Sequence, residues 1–175
     1  MKYPWKFLLL SIYLLLSSCT SIPKGIEPVE NFELQKYLGK WYEIARLPHS
    51  FEEDLEQVTA EYSLREDGGV KVINRGFNIK KKKWEEAIGR AYFIEENNIG
   101  QLKVSFFGPF YGSYIVFELS PNYEYALISG PSKDYFWILA RQPQLDKQSM
   151  QKLLDIAKSK GFDINSLILA QPPNK

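Results

Sequence analysis

Eight short segments of alternating apolar and polar residues follow one another from Gly39 to Arg141, separated by turn signals. No other feature limits the fold so strongly, because a two-residue period places successive side chains on opposite faces of a strand. The spacing predicts strands over Gly39–Leu47, Gln57–Glu66, Val70–Asn78, Trp84–Ile94, Gln101–Phe107, Ser113–Leu119, Tyr123–Ser129 and Tyr135–Arg141. Gln57–Glu66 alternates most cleanly, with Val58, Ala60, Tyr62 and Leu64 on one face. Asp67-Gly68-Gly69 marks a hairpin, since consecutive positive φ angles favour Asp and Gly. The period then changes to 3.6: Met150, Leu153, Leu154 and Ala157 form one face of a helix from Asp146 to Lys160, stopped by Gly161. A short strand at Ser166–Ala170 closes the chain. The expectation is an all-β fold: an eight-stranded antiparallel up-and-down barrel, one C-terminal α-helix packed outside, and a short final strand.

Composition decides what such a barrel is for only by exclusion. With 22 Lys and Arg against 21 Asp and Glu, the net charge is +1, and no concentrated basic face is available for nucleic acid. One Cys permits no intramolecular disulfide, and with one His no site of several Cys or His ligands forms. No metal or cofactor is expected. The 11 Tyr and 11 Phe, scattered through the strands, suit side chains that fill a barrel or line a cavity.

The first residues form a targeting segment. Lys2 and Lys6 precede an apolar run, Phe7–Leu16, whose ten residues rise only about 15 Å as a helix, half of a hydrocarbon core. Leu16-Ser17-Ser18-Cys19 then resembles the bacterial lipobox, which implies residues 1–18 as a lipoprotein signal peptide and Cys19 as a lipidated N-terminus. Loss of Lys2 and Lys6 would bring the charge to −1. Thr20, in place of the Asp that retains lipoproteins at the inner membrane, points to the outer membrane. Residues 19–31, with Pro23, Gly25 and Pro28, read as a tether, and 32–175 as the barrel domain, opening on a turn of helix at Asn31-Phe32.

Three ordered motifs carry a family resemblance. Gly39-Lys40-Trp41-Tyr42-Glu43 resembles the Gly-x-Trp signature of lipocalins. Asn122-Tyr123-Glu124-Tyr125-Ala126-Leu127 is similar to their second motif, with Asn where Asp is usual, and Trp137–Pro143 to their third, whose Arg is Arg141 here. The likeness spans Phe32 to Gln171, and with the lipobox and Val104–Gly112 it is narrowest to the bacterial outer-membrane lipoprotein lipocalins, related to apolipoprotein D. It implies that Gly39, Trp41, Tyr123 and Arg141 are structural, with the Arg141 guanidinium lying over Trp41 at the closed end. It also implies a ligand, a fatty acid such as palmitate or a lysophospholipid, held for storage or transport by a protein anchored to the outer membrane on its periplasmic side.

In an up-and-down barrel alternate turns share an end, so the loops at 49–56, 80–83, 109–112 and 131–133 surround the mouth. The candidate lipid-binding residues are Tyr111 and Trp137 near the polar end of the ligand, implied by the resemblance, and Ala60, Tyr62, Val104 and Phe106, inward by alternation. Each has core filling as its competing role. The run Lys80–Lys83 reads either as a solvated hairpin tip or as a contact for anionic headgroups. Two other classes stay open. An envelope adaptor would use the barrel surface, and a homodimer is left open with it. An enzyme would need His49, expected to be a solvated loop residue without a partner, or a carboxylate pair such as Glu43 and Glu86.

Overall fold

In a computed structural model, which describes residues 20–170, the strands close into a barrel. A four-residue helix α1 (Leu34–Tyr37) leads into β1 (Gly39–Arg46), β2 (Leu55–Leu64), β3 (Val70–Asn78), β4 (Lys83–Phe93), β5 (Gln101–Ser105), β6 (Gly112–Leu119), β7 (Tyr125–Ser129) and β8 (Phe136–Ala140). Helix α2 (Lys147–Ser159) and a two-residue β9 (Ile168–Leu169) follow. Every sequential pair is antiparallel, and β1 pairs with both β2 and β8, which removes the free edges of the barrel. The short β9 lies outside on β1, with Leu169 opposite Ala45 and Ile168 opposite Arg46.

Two apolar layers sit on the two faces of this sheet. Inside, Trp41, Ala60, Tyr62, Val72, Ala91, Leu102 and Leu139 pack toward the closed end. Outside, Ile115, Leu127, Phe136, Ile138 and Ala140 are covered by Leu153 and Ala157 of α2 and by Phe162. The period switch in the sequence thus marks where the chain leaves the sheet to cover its outer face. Asp146 caps α2, accepting from the amides of Gln148 and Ser149 at 2.9 Å each. Gly161 ends it at φ +85°, with the Phe162 amide donating to the Ala157 carbonyl and that of Gly161 to Lys158. Lys147, Gln151, Asp155 and Lys158 face solvent as the pattern predicts.

Three expectations are corrected at their edges. The opening helical turn begins at Leu34, and Phe32 before it is buried in the inner apolar cluster. Strand β7 starts at Tyr125, two residues late, because Tyr123 sits at φ +58° in a turn held by the Ser120 hydroxyl. The supposed tether is no free linker: residues 21–32 run down the outside of the wall. Ile26 is buried in the outer layer, the Val29 amide donates to the Val116 carbonyl at 2.8 Å, and the Phe32 amide to the Asn98 carbonyl at 2.7 Å. Cys19 and the signal segment lie outside the described residues.

The closed end is built around Trp41, which is fully buried. The Arg141 guanidinium lies 4.0 Å over its ring and donates to the carbonyls of Lys36, Leu38 and Lys40 at 2.7–2.9 Å. The indole nitrogen donates to the Tyr37 carbonyl at 2.8 Å. Gly39 holds φ +90°, and a Cβ there would stand 3.5 Å from Arg141 Nη1, so the motif glycine supplies the backbone turn that brings β1 under the cation.

Candidate functional site

Alternation along β1 determines what stands above this floor. Trp41 and Glu43 share the inward face, so a carboxylate enters the barrel one step nearer the mouth. Between floor and mouth lies a cavity of about 990 Å³. Its wall is largely apolar, formed by Val70, Val72, Ala91, Leu102 and Leu139 toward the closed end and by Ala60, Val104, Val58 and Phe106 above them. At the bottom three phenols meet: Tyr37 and Tyr62 each lie within 2.8 Å of the Tyr114 hydroxyl. Burial raises the pKa of all three, so they stay protonated and serve as neutral donors.

One side of the upper wall is polar. The loop between β1 and β2 makes a turn of 3-10 helix at Ser50–Glu52, which carries the Glu52 side chain into the barrel. Glu52 Oε2 accepts from the Trp137 indole at 3.0 Å and lies 2.9 Å from His49 Nε2. Arg46 spans the cluster: Nη1 donates to Glu43 Oε1 at 2.5 Å, and Nη2 donates to the carbonyls of Glu52 and Leu55. The rings of His49 and Phe51 stack at 3.9 Å, and both lie against Trp137, 5.1 and 6.0 Å away. Asn74 Oδ1 and Ser105 Oγ, buried in the cavity wall, make no hydrogen bond among the described residues. Buried polar atoms left this way are costly, and a ligand head or water in the cavity would satisfy them.

The Glu43 carboxyl is pushed up to about 8. Burial is the main cause and the facing Glu52 carboxylate the second, and together they outweigh the pull of Arg46. The sign of the consequence is definite. A carboxyl whose folded pKa lies above its ordinary 4.5 contributes stability below that value and loses it as pH rises through the folded pKa. Stability from this group therefore falls as pH rises from about 4.5 to about 8. Glu43→Gln keeps an oxygen for Arg46 and removes the titration. Its melting temperature, measured at pH 5, 6.5 and 8, is expected to show a shallower fall than that of the parent chain; an unchanged slope would refute the assignment.

The sequence candidates distribute as follows. Ala60, Tyr62, Val104, Phe106 and Trp137 all line the cavity. Tyr111 does not. Its neighbours Phe110 and Gly112 line the opening, and by alternation Tyr111 turns outward. There its ring packs 6.4 Å from Tyr92, with Lys103 Nζ 5.3 Å away and the Arg90 guanidinium 5.9 Å away. His49 is also corrected: its side chain is 4% exposed, and its partner is Glu52. Glu43 faces Glu52 and not Glu86. Asn74 was legible from the sequence, since it continues the inward series Val70, Val72. Glu52 was not, because no periodicity governs a three-residue turn.

Over residues 32–172 the sequence matches the lipocalin-like domain family. It is similar to the outer membrane lipoprotein Blc of Vibrio cholerae, 54% identical over 158 residues that cover 90% of this chain and 92% of that one. The outer membrane lipoprotein Blc of Escherichia coli is 49% identical, across 86% and 85% of the two chains. Apolipoprotein D of Mus musculus is 33% identical, across 91% and 85%. Among solved structures, insecticyanin from the tobacco hornworm Manduca sexta superposes with a TM-score of 0.69 over 86% of each chain at 20% identity, a likeness of fold.

Proposed function

Because the chain belongs to the lipocalin-like family, we propose that it is a lipid-binding lipoprotein of the bacterial outer membrane, facing the periplasm, that holds a fatty acid or lysophospholipid for storage or transport. The observation that carries this reading is the cavity: closed at one end, apolar in its depth and polar on one side near the mouth. Its volume of about 990 Å³ is at the upper end of the range typical of ligand sites. An acyl chain directed down the barrel would contact Ala60, Tyr62, Val104 and Phe106, each buried methylene contributing about 0.8 kcal/mol. The polar head would stop at Trp137 and Glu52, near the mouth. Relatives named as outer membrane lipoproteins support acylation of Cys19 and the location. We read the chain as a binding protein and not an enzyme, since the Glu52 carboxylate is engaged by the Trp137 indole.

The test is native mass spectrometry of the chain stripped of bound lipid and then incubated with palmitate or a lysophospholipid. One lipid per chain is expected, accompanied by a change in Trp fluorescence as Trp137 is covered. Absence of both would remove the proposal.

A further inference from the structure

The two ends of the barrel differ in chemistry. At the closed end, the turns at 65–69, 94–100 and 120–124 carry Glu66, Asp67, Glu95, Glu96 and Glu124 against Arg65, with Lys36, Lys40 and Arg141 beside them and, among the described residues, no aromatic ring among the large exposed apolar side chains there. At the mouth, large apolar side chains stand in solvent. Phe107 is 79% exposed and Phe110 73%, both in the turn between β5 and β6. Phe51 is exposed on the loop between β1 and β2 and Ile79 on the loop between β3 and β4, where Lys80–Lys83 follow it. The side chains of Lys80, Lys81 and Lys83 are 60–70% exposed even while reaching Asp54 and Glu85. Exposed aromatic rings flanked by lysines, at one end only, match the apolar and anionic layers of a phospholipid surface.

The start of the described chain is fastened at this same end. The Ser21 hydroxyl donates to the Pro131 carbonyl in the turn between β7 and β8, and the Ser113 hydroxyl at the start of β6 donates to the Ser21 carbonyl at 2.8 Å. Cys19 precedes Ser21 by two residues, which span at most about 7 Å. The closed end lies a strand's length away, about 25 Å for eight residues. Since residues 21–32 are strapped to the wall, an anchor on Cys19 has no slack with which to invert the barrel.

From these two observations we propose that the open end of the barrel docks on a bilayer bearing anionic phospholipids, with Phe107 and Phe110 inserted among the acyl chains and Lys80–Lys83 in the headgroup layer. The inference rests on acylation of Cys19, and it places the cavity mouth directly over the lipid that would enter or leave it.

The full chain, processed in cells, is reconstituted through its own anchor into vesicles of phosphatidylethanolamine and phosphatidylglycerol. A fluorescent label is attached to Phe110→Cys or, at the closed end, Asn122→Cys, and is quenched by spin-labelled lipid. Acylation leaves Cys19 without a thiol, so the label reports only the introduced position. Intact mass on the same sample reports the anchor, and lipid uptake is measured separately, so a missing anchor or an empty cavity is told apart from a barrel that faces away. Quenching at position 110 is expected to exceed that at 122 at least fivefold, and to fall at least twofold when phosphatidylcholine replaces phosphatidylglycerol or when Lys80, Lys81 and Lys82 are changed to Glu. Equal quenching at the two ends, or more at 122, with the anchor present, overturns the docking. Quenching at 110 that ignores both lipid charge and the lysine changes overturns the role given to the lysines.

Discussion

Trp41→Ala is expected to lower the stability of the barrel by about 3–5 kcal/mol, the usual cost of removing a large buried aromatic side chain. For a domain of this length that is a fall in melting temperature of roughly 8–15 °C. The loss has three parts here. The ring is fully buried, its nitrogen satisfies the Tyr37 carbonyl, and its face supports the Arg141 guanidinium. Without the ring, a cation held among four carbonyls above an empty floor keeps its hydrogen bonds and loses its contact surface. Trp41 is absent from the cavity lining, so the fraction that remains folded should bind lipid within a few-fold of the parent affinity. Differential scanning calorimetry together with lipid titration separates the two effects. An unchanged melting temperature with binding abolished would mean that Trp41 belongs to the ligand site.

Ala60→Trp produces the opposite pattern. Ala60 lies opposite Trp41 in the register of β1 and β2, and its small side chain leaves the deep part of the cavity open. An indole placed there takes space worth on the order of four methylenes of a bound chain, or about 3 kcal/mol. A long acyl chain should lose affinity by on the order of a hundredfold, while a chain short enough to end above Ala60 should lose little. Fold and melting temperature stay close to those of the parent, because the ring enters empty space. The measurement is a titration series over chain length. A uniform loss at every length would place the ligand elsewhere than along the barrel axis.

These two residues also show how far the sequence reached. Ala60 was inward by counting twos along Gln57–Glu66, and the register of β2 agrees. The same counting from Val104 and Phe106 identified two more cavity residues. Tyr111 was named from the resemblance and not by counting, and its ring lies outside the cavity lining because the face of a turn residue depends on where the next strand begins. His49 was placed in water because a Pro-His-Ser stretch reads as a loop. In the fold that loop turns inward, and the imidazole is covered by Phe51, Trp137 and Glu52.

The eight strands and the outer helix with its Gly161 stop were determined by local pattern, and the Trp41–Arg141 floor was implied by the family resemblance. Periodicity, capping and turn chemistry act over a few residues and are written directly in the order of side chains. What only the tertiary structure decided depends on which groups the closed barrel brings together: Glu43 facing Glu52 across the turn after β1, Glu52 reaching Trp137 across 85 positions, and Ser21 tied to Pro131 across 110. The neutral form favoured at Glu43 and the end of the barrel at which the chain is fastened both follow from those meetings. Burial and proximity are properties of the closed barrel, so no window of sequence contains them.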